Sequence, residues 1–302
     1  PKVGNRDISS STPPEWRLPF FLAMSFVGAV AVVWMGIIEV KFRLAEPDKH
    51  DADPKWGEEF SLFGNMYECF TSLRGEWILV MALMSFCFCF IVHAITWLLF
   101  RAFMSKELYN SLPYPDIWFL GQKIPSSLHG LGVGLMAIKI VWIDEVFQED
   151  LLNGYSPLCD VIMAFSLGYE FYDIIVMYLQ TGANIGMYVH HLSLCVAFLL
   201  SFTHKKLAFV AVVMLITELT VLPSNLHWFL KTFKMKQTRL FHFNQGVRLW
   251  SFVLLRLPVP TYVFYQIYLH FDAFSRENAI ARFSVYIIVS FLCLMNIYWT
   301  KT

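Results

Sequence analysis

The chain has 302 residues, of which 57% are hydrophobic and only 15% are charged, and its formal net charge at pH 7 is zero. A water-soluble domain could not bury so much apolar surface, so the composition predicts an integral membrane protein. The balanced charge, without a block of basic residues, excludes a nucleic-acid-binding protein. The continuous apolar runs argue against a β-barrel, whose strands alternate in polarity over about ten residues.

Eight apolar runs are each long enough to cross the roughly 30 Å hydrocarbon core of a bilayer as a helix. They cover residues 18–40, 77–100, 125–147, 157–178, 187–203, 207–229, 246–270 and 281–299. The sequence therefore predicts an all-α, multi-pass transmembrane bundle of about eight spans.

The polar segments between the runs indicate orientation and domain organisation. An even number of spans places both ends of the chain on one side, and basic residues in loop 230–245 favour the cytosol or the mitochondrial matrix. Loop 101–124 is predicted on the same side. We divide the chain into residues 1–76, comprising a tail, an additional helix and an acidic loop, and residues 77–302, the main membrane domain.

Several ionisable side chains lie inside the predicted spans, among them Asp173, His190, His191 and Glu218. Such groups are costly at bilayer depth and usually face a bundle interior or a wet cavity, so we expect them to be partners. Tyr169 lies four residues before Asp173 and shares its helix face.

The loop after the fourth predicted span returns the chain, which brings the two histidines back to the depth of Asp173. Adjacent side chains on a helix point about 100° apart, so one imidazole can face Asp173 while the other faces a third helix. His129 enters the third span. Arg256 in the seventh span is the natural counter-ion for Glu218 or Asp173.

Three kinds of chemistry fit this cluster. In acyl transfer, a histidine takes a proton from an acceptor and a carboxylate orients the imidazole. A metal site could use His129, His190, His191 and Glu218, but the histidine boxes of membrane di-iron enzymes are absent. The third alternative is a polar network that fixes helix register. We predict no metal and no cofactor, and we leave open a disulfide between Cys69 and Cys159.

The polar motifs together resemble the TLC-domain family, which includes ceramide synthases, translocon-associated membrane proteins and smaller TLC-domain-containing proteins. The resemblance covers about residues 77–301. It includes the following motifs: Ser126-Ser127-Leu128-His129, Gly168-Tyr169 with Asp173, His190-His191, Thr217-Glu218-Leu219 with Pro223, Asn225 and Trp228, then Arg256 and Asn296-Ile297-Tyr298-Trp299.

The resemblance implies a bundle of six or seven helices with a central cavity open to lipid. In ceramide synthases the paired histidines and the aspartates that follow them are tied to N-acylation of a sphingoid base by acyl-CoA. Here Glu218 replaces the first of those aspartates and Val221 stands in place of the second. The chain therefore resembles the smaller family members more closely.

Two functions are consistent with these features. In the first, the protein binds or handles a membrane lipid or acyl chain, with acyl transfer as one form of that activity. His190, His191 and Asp173 would then be catalytic. The polar head would be held by His129, Tyr169, Glu218, Asn225 and Arg256.

In the second, the chain is a non-catalytic accessory subunit of a larger membrane complex, docked through residues 1–76. The resemblance favours the endoplasmic reticulum as the location, whereas the subunit hypothesis goes with the mitochondrial inner membrane.

Overall fold

The computed structural model describes residues 73–148, 150–179, 185–203, 208–277 and 279–300. The α-helices in these ranges are α1 (Leu73–Phe103), α2 (Lys106–Ser111), α3 (Tyr114–Ile138), α4 (Pro157–Leu179), α5 (Ile185–Thr203), α6 (Ala208–Leu215), α7 (Val221–Thr232), α8 (Arg239–Ser251), α9 (Pro258–Leu269), α10 (Phe271–Ser275) and α11 (Ala279–Thr300). These ranges contain no β-strand, and the predicted all-α class is confirmed. The predicted first span at 18–40 and Cys69 lie outside the described residues.

Six helical segments of the described chain are long and apolar enough to cross a membrane. Helices α1, α4 and α5 each form one, and α3 forms another together with a π-helical turn at Lys139–Ile143. The other two are composite, because a 3₁₀ turn (Ile216–Thr220) joins α6 to α7 and a π-helical turn (Phe252–Arg256) joins α8 to α9. The apolar helix α11 follows. The protein is therefore a multi-pass helical bundle.

Two segments predicted as loops were drawn too long: 101–124 is largely helical, and in 230–245 only residues 233–238 form a non-helical turn. Helix α3 begins at Tyr114, next to prolines that fit the first turn of a helix because their missing N–H is not needed there. The Thr238 side chain accepts a hydrogen bond from the Phe241 N–H at 3.2 Å and so caps the start of α8. Polar residues in the first turns of both helices hide them from a search for apolar runs.

Helix α4 occupies the centre, and it is the most buried of the six membrane-crossing segments in the described ranges. Helix α1 lies directly against it at Gly168, where a Cβ atom would collide with the Ala82 carbonyl oxygen. Beside this crossing, the Ser85 hydroxyl donates a hydrogen bond to the Phe165 carbonyl at 2.6 Å. Small residues at the contact therefore set the distance between α1 and α4.

Prolines account for an irregular backbone in both composite segments. Pro260 has no N–H to donate to the carbonyl of Arg256, four residues earlier, and its ring crowds that carbonyl. The Asn296 side-chain amide of α11 donates to the Arg256 carbonyl instead, at 3.1 Å. Pro223, which follows the 3₁₀ turn, likewise has no N–H to donate within its helix. The 3₁₀ turn carries Glu218. The chain therefore places Glu218 and Arg256 on distorted turns.

At the end of the bundle far from residues 230–245, Arg74 ties three segments together. Its guanidinium donates to both carboxylate oxygens of Asp160 at 2.7 Å, to the Tyr155 hydroxyl at 3.1 Å and to the Phe202 carbonyl at 3.2 Å. Burial and the neighbouring Asp160 carboxylate raise the pKa of the Tyr155 hydroxyl well above its usual value. That hydroxyl therefore remains protonated and donates to Asp160.

Candidate functional site: an intramembrane polar cluster beside an apolar cleft

The two adjacent histidines of α5 face different surroundings. His191 points toward α4 and is only 5% exposed, and His190 is 8% exposed and lines a cleft between α5, α6 and α11. Neighbouring side chains on a helix diverge by about 100°, which produces this division. The pair therefore belongs to two different environments.

The imidazole of His191 lies between two buried carboxylates of α4. Its Nδ1 atom is hydrogen-bonded to Glu170, and its Nε2 atom lies 3.1 Å from Asp173 Oδ2. The Gln122 side-chain amide of α3 donates to the other oxygen of Asp173. We call this group of Gln122, Glu170, Asp173 and His191 the buried carboxylate network. It connects α3, α4 and α5 through charge-assisted contacts.

His129 and Tyr169 form a second layer against this network. Their rings stack with centroids 3.9 Å apart, and His129 Nε2 lies 3.2 Å from the Ser166 hydroxyl. His129 Nδ1 has no hydrogen-bond partner among the described residues. Nearby, His93 Nδ1 lies 2.7 Å from the Tyr172 hydroxyl. These aromatic and imidazole rings fill the space between α1, α3 and α4.

The cleft has a polar end and a long apolar wall. His190, Thr217, Glu218, Arg256 and Asn296 surround the polar end. Most other lining residues are apolar: Leu194, Ala197, Phe198, Leu200, Val210, Ala211, Met214, Leu215, Val285, Ile288, Val289 and Leu292. The cavity volume is about 50 Å³, so the cleft is narrow. Its lining runs along α11 from Asn296 to Ser284, or about 18 Å at 1.5 Å per residue.

Arg256 is held firmly at the polar end of the cleft. Its Nε donates to the Thr220 hydroxyl at 2.6 Å, and its Nη1 donates to the Asn296 side-chain oxygen at 3.2 Å. The guanidinium also lies 5.1 Å from the centre of the Phe252 ring. Glu218 lines the same end of the cleft. The two irregular turns therefore bring side chains of opposite charge to one end of the cleft.

Seven of the eight predicted site residues lie in three places. His191 and Asp173 belong to the buried carboxylate network, and His129 and Tyr169 lie behind it. His190, Glu218 and Arg256 meet at the cleft.

Asn225 lies apart from these three places, where its amide donates to the Ser127 hydroxyl at 3.0 Å and the Lys123 carbonyl at 3.2 Å. It connects α7 to α3 and is not among the residues that line the cleft.

The sequence analysis did not single out Gln122 or Asn296 as site residues, although both bind charged groups of the site. Gln122 lies in a segment predicted to be a loop. The signals for Asn296 are a polar side chain in a mostly apolar span and its place in the last motif of the family resemblance. Within the described ranges, no three His, Cys, Asp or Glu side chains are arranged to hold a metal ion.

These features define an integral membrane protein with a buried polar cluster and an amphipathic cleft within its helical bundle. Residues 120–302 match the family profile described as the TLC domain. Because that match covers more than half of the chain, the protein belongs to the TLC domain family.

Curated relatives agree with this assignment. The chain is 26% identical to TLC domain-containing protein 4-B of Danio rerio and to TLC domain-containing protein 4 of Homo sapiens. Each alignment spans 63% of this chain and 74% of the relative. TLC domain-containing protein 1 of Gallus gallus is 24% identical over 49% of this chain and 59% of its own length. None of these three is a ceramide synthase, as the resemblance predicted. No solved structure matches the chain.

Proposed function

We propose that the protein binds the acyl chain of a membrane lipid in the cleft between α5, α6 and α11, with the lipid's polar group against His190, Glu218 and Arg256. The observation that supports this proposal is the amphipathic lining of the cleft, which is polar at one end and apolar along the rest. A length of about 18 Å is somewhat more than half of the roughly 30 Å hydrocarbon core, and so matches one leaflet.

Binding requires the cleft to widen. Ligand pockets generally have volumes of about 300–1,000 Å³, well above the volume of this cleft. Helices α5 and α11 form two of its walls, and their separation would admit an acyl chain from the surrounding lipid. The ligand therefore enters sideways from the bilayer rather than through the loops.

Acyl transfer is the reaction that this site supports best. We propose that the His190 imidazole takes the proton from a hydroxyl or amine acceptor as that group attacks the carbonyl of an activated acyl chain. The imidazole then returns the proton to the leaving group. His191 is held by Glu170 and Asp173 on the other side of α5, so it positions His190 and does not contact the substrate.

Filling the cleft is expected to abolish lipid binding. Ala197 lines the apolar wall, and the variant Ala197→Phe places a ring where the acyl chain would lie. Native mass spectrometry of the full chain extracted from its own membrane should show a stoichiometric lipid on the wild type and none on the variant. Ala102→Phe, at an exposed position near the end of α1, is the matched control and should keep its lipid. Equal lipid occupancy in wild type and Ala197→Phe would refute the proposal.

The proposed acyl transfer has a separate test. His190→Asn keeps a polar side chain at the cleft but removes the base, so the transfer rate should fall by about 10²–10⁴-fold while lipid binding remains. The assay would follow a labelled acyl group from acyl-CoA to the lipids of a membrane extract. A His190→Asn variant with the wild-type rate would exclude this role.

Residues 1–76 remain a predicted docking segment for other membrane subunits, and residues 1–72 lie outside the described ranges. We propose the endoplasmic reticulum as the location on the basis of family resemblance. Purification of the chain with a fixed set of unrelated subunits from mitochondria would instead support the accessory-subunit hypothesis.

A further inference from the structure

The charges at the polar end of the cleft restrict the ligand that it can take. Glu218 and Arg256 are the only Asp, Glu, Lys or Arg side chains among the described residues that line it. Their formal charges are opposite and sum to zero. A ligand with a charged head would bring an additional charge without a partner into a low-dielectric environment, which is strongly unfavourable.

Arg256 is poorly placed to serve as a receptor for phosphate. Its guanidinium already donates to Thr220 and Asn296, and it lies against the Phe252 ring. Recognition of a phosphate would require these donors to turn away from their present acceptors. The neighbouring Glu218 carboxylate would also repel an anionic head.

Glu218 differs from Arg256 because its carboxylate is available to bind a ligand. No described side chain donates a hydrogen bond to its carboxylate, which is partly exposed at the cleft. The hydroxyl of the neighbouring Thr217 donates to the Met214 carbonyl at 2.8 Å and is therefore already engaged. Glu218 can accept a hydrogen bond from a ligand, and a carboxylate gains stability from such a donor.

We infer that the cleft selects a lipid with an uncharged head that donates a hydrogen bond, such as a free hydroxyl. This inference rests on the proposed function and makes it more specific, because it names the chemical class of the lipid. Glu218 is the residue that would determine specificity.

The test compares three oleoyl probes on the full chain in lipid nanodiscs. Monooleoylglycerol carries the inferred head, oleoyl lysophosphatidic acid is anionic and oleylamine is cationic. Monooleoylglycerol should bind at least about tenfold more tightly than either charged probe. Lysophosphatidic acid or oleylamine binding as tightly would overturn the inference but leave the proposed function standing.

The variant Glu218→Gln tests the origin of this selectivity. It removes the negative charge and leaves the positive charge of Arg256 in the lining of the cleft, so binding of lysophosphatidic acid should tighten by about tenfold while binding of monooleoylglycerol weakens. Glu107→Gln on the exposed surface of α2 is the matched control and should change neither affinity. An unchanged ranking in Glu218→Gln would refute the role of Glu218. If no probe bound and no lipid co-purified, the proposed function itself would fail.

Discussion

Replacing His191 by alanine is expected to destabilise the protein by about 3–5 kcal/mol, because it leaves Glu170 and Asp173 buried without the imidazole that they share. The two carboxylates are 2% and 3% exposed, so water cannot replace the lost partner. The measurement is the free energy of unfolding in detergent micelles, from denaturant titration followed by circular dichroism.

His190→Ala is the matched control for this experiment. The residue next to His191 on α5 is almost as buried, yet it lines the cleft and does not lie between Glu170 and Asp173. Its removal should cost about 1 kcal/mol, which is typical of single substitutions. Equal destabilisation by the two variants would contradict the division of the histidine pair into a structural member and a member that faces the ligand.

A double-mutant cycle gives a stricter test of the buried carboxylate network. Glu170→Ala and His191→Ala each remove one side of the same contact. The double variant should therefore lose less unfolding free energy than the sum of the losses in the two single variants. The expected coupling is about 0.5–3 kcal/mol, the range for residues in one hydrogen-bonded network. Strictly additive effects would show that Glu170 and His191 act independently.

The positions of the apolar spans could be predicted from the sequence, because hydrophobicity alone determines which segments enter the bilayer. The predicted runs 157–178 and 187–203 differ from α4 and α5 by no more than two residues at either end. The prediction failed for α3 and α8, where polar residues in the first helical turns look like loops. Proline at the start of α3 and a capping threonine before α8 are local signals that could have corrected it.

The membership of the polar cluster was harder to predict than its existence. The cost of charge in a membrane indicated that Asp173, His191, Glu218 and Arg256 would find partners, but it could not say which pairs would form. Pairing depends on how each helix is rotated about its own axis, and that rotation is set by small contacts such as the one at Gly168. The sequence also could not show that Asn296 would replace the hydrogen bond that Pro260 cannot make.

Gly168→Ala is expected to destabilise the bundle by about 1–3 kcal/mol, because the added methyl group must push α1 away from α4. The Cβ atom would collide with the Ala82 carbonyl oxygen and lie 2.8 Å from Ser85 Cβ. Backbone atoms cannot rotate away as a flexible side chain can. Separation of the helices would also stretch the hydrogen bond from Ser85 to the Phe165 carbonyl. The change in unfolding free energy measures the effect.

Gly132→Ala on α3 is the matched control, because a Cβ atom there meets nothing within 4 Å. It should stabilise the protein by about 0.4–1 kcal/mol, since alanine loses less backbone entropy than glycine when a helix forms. Replacement of glycine by alanine is therefore expected to lower the free energy of unfolding at one position of the bundle and to raise it at the other. If Gly168→Ala stabilised the protein as Gly132→Ala does, α1 and α4 would have to lie farther apart than this structure places them.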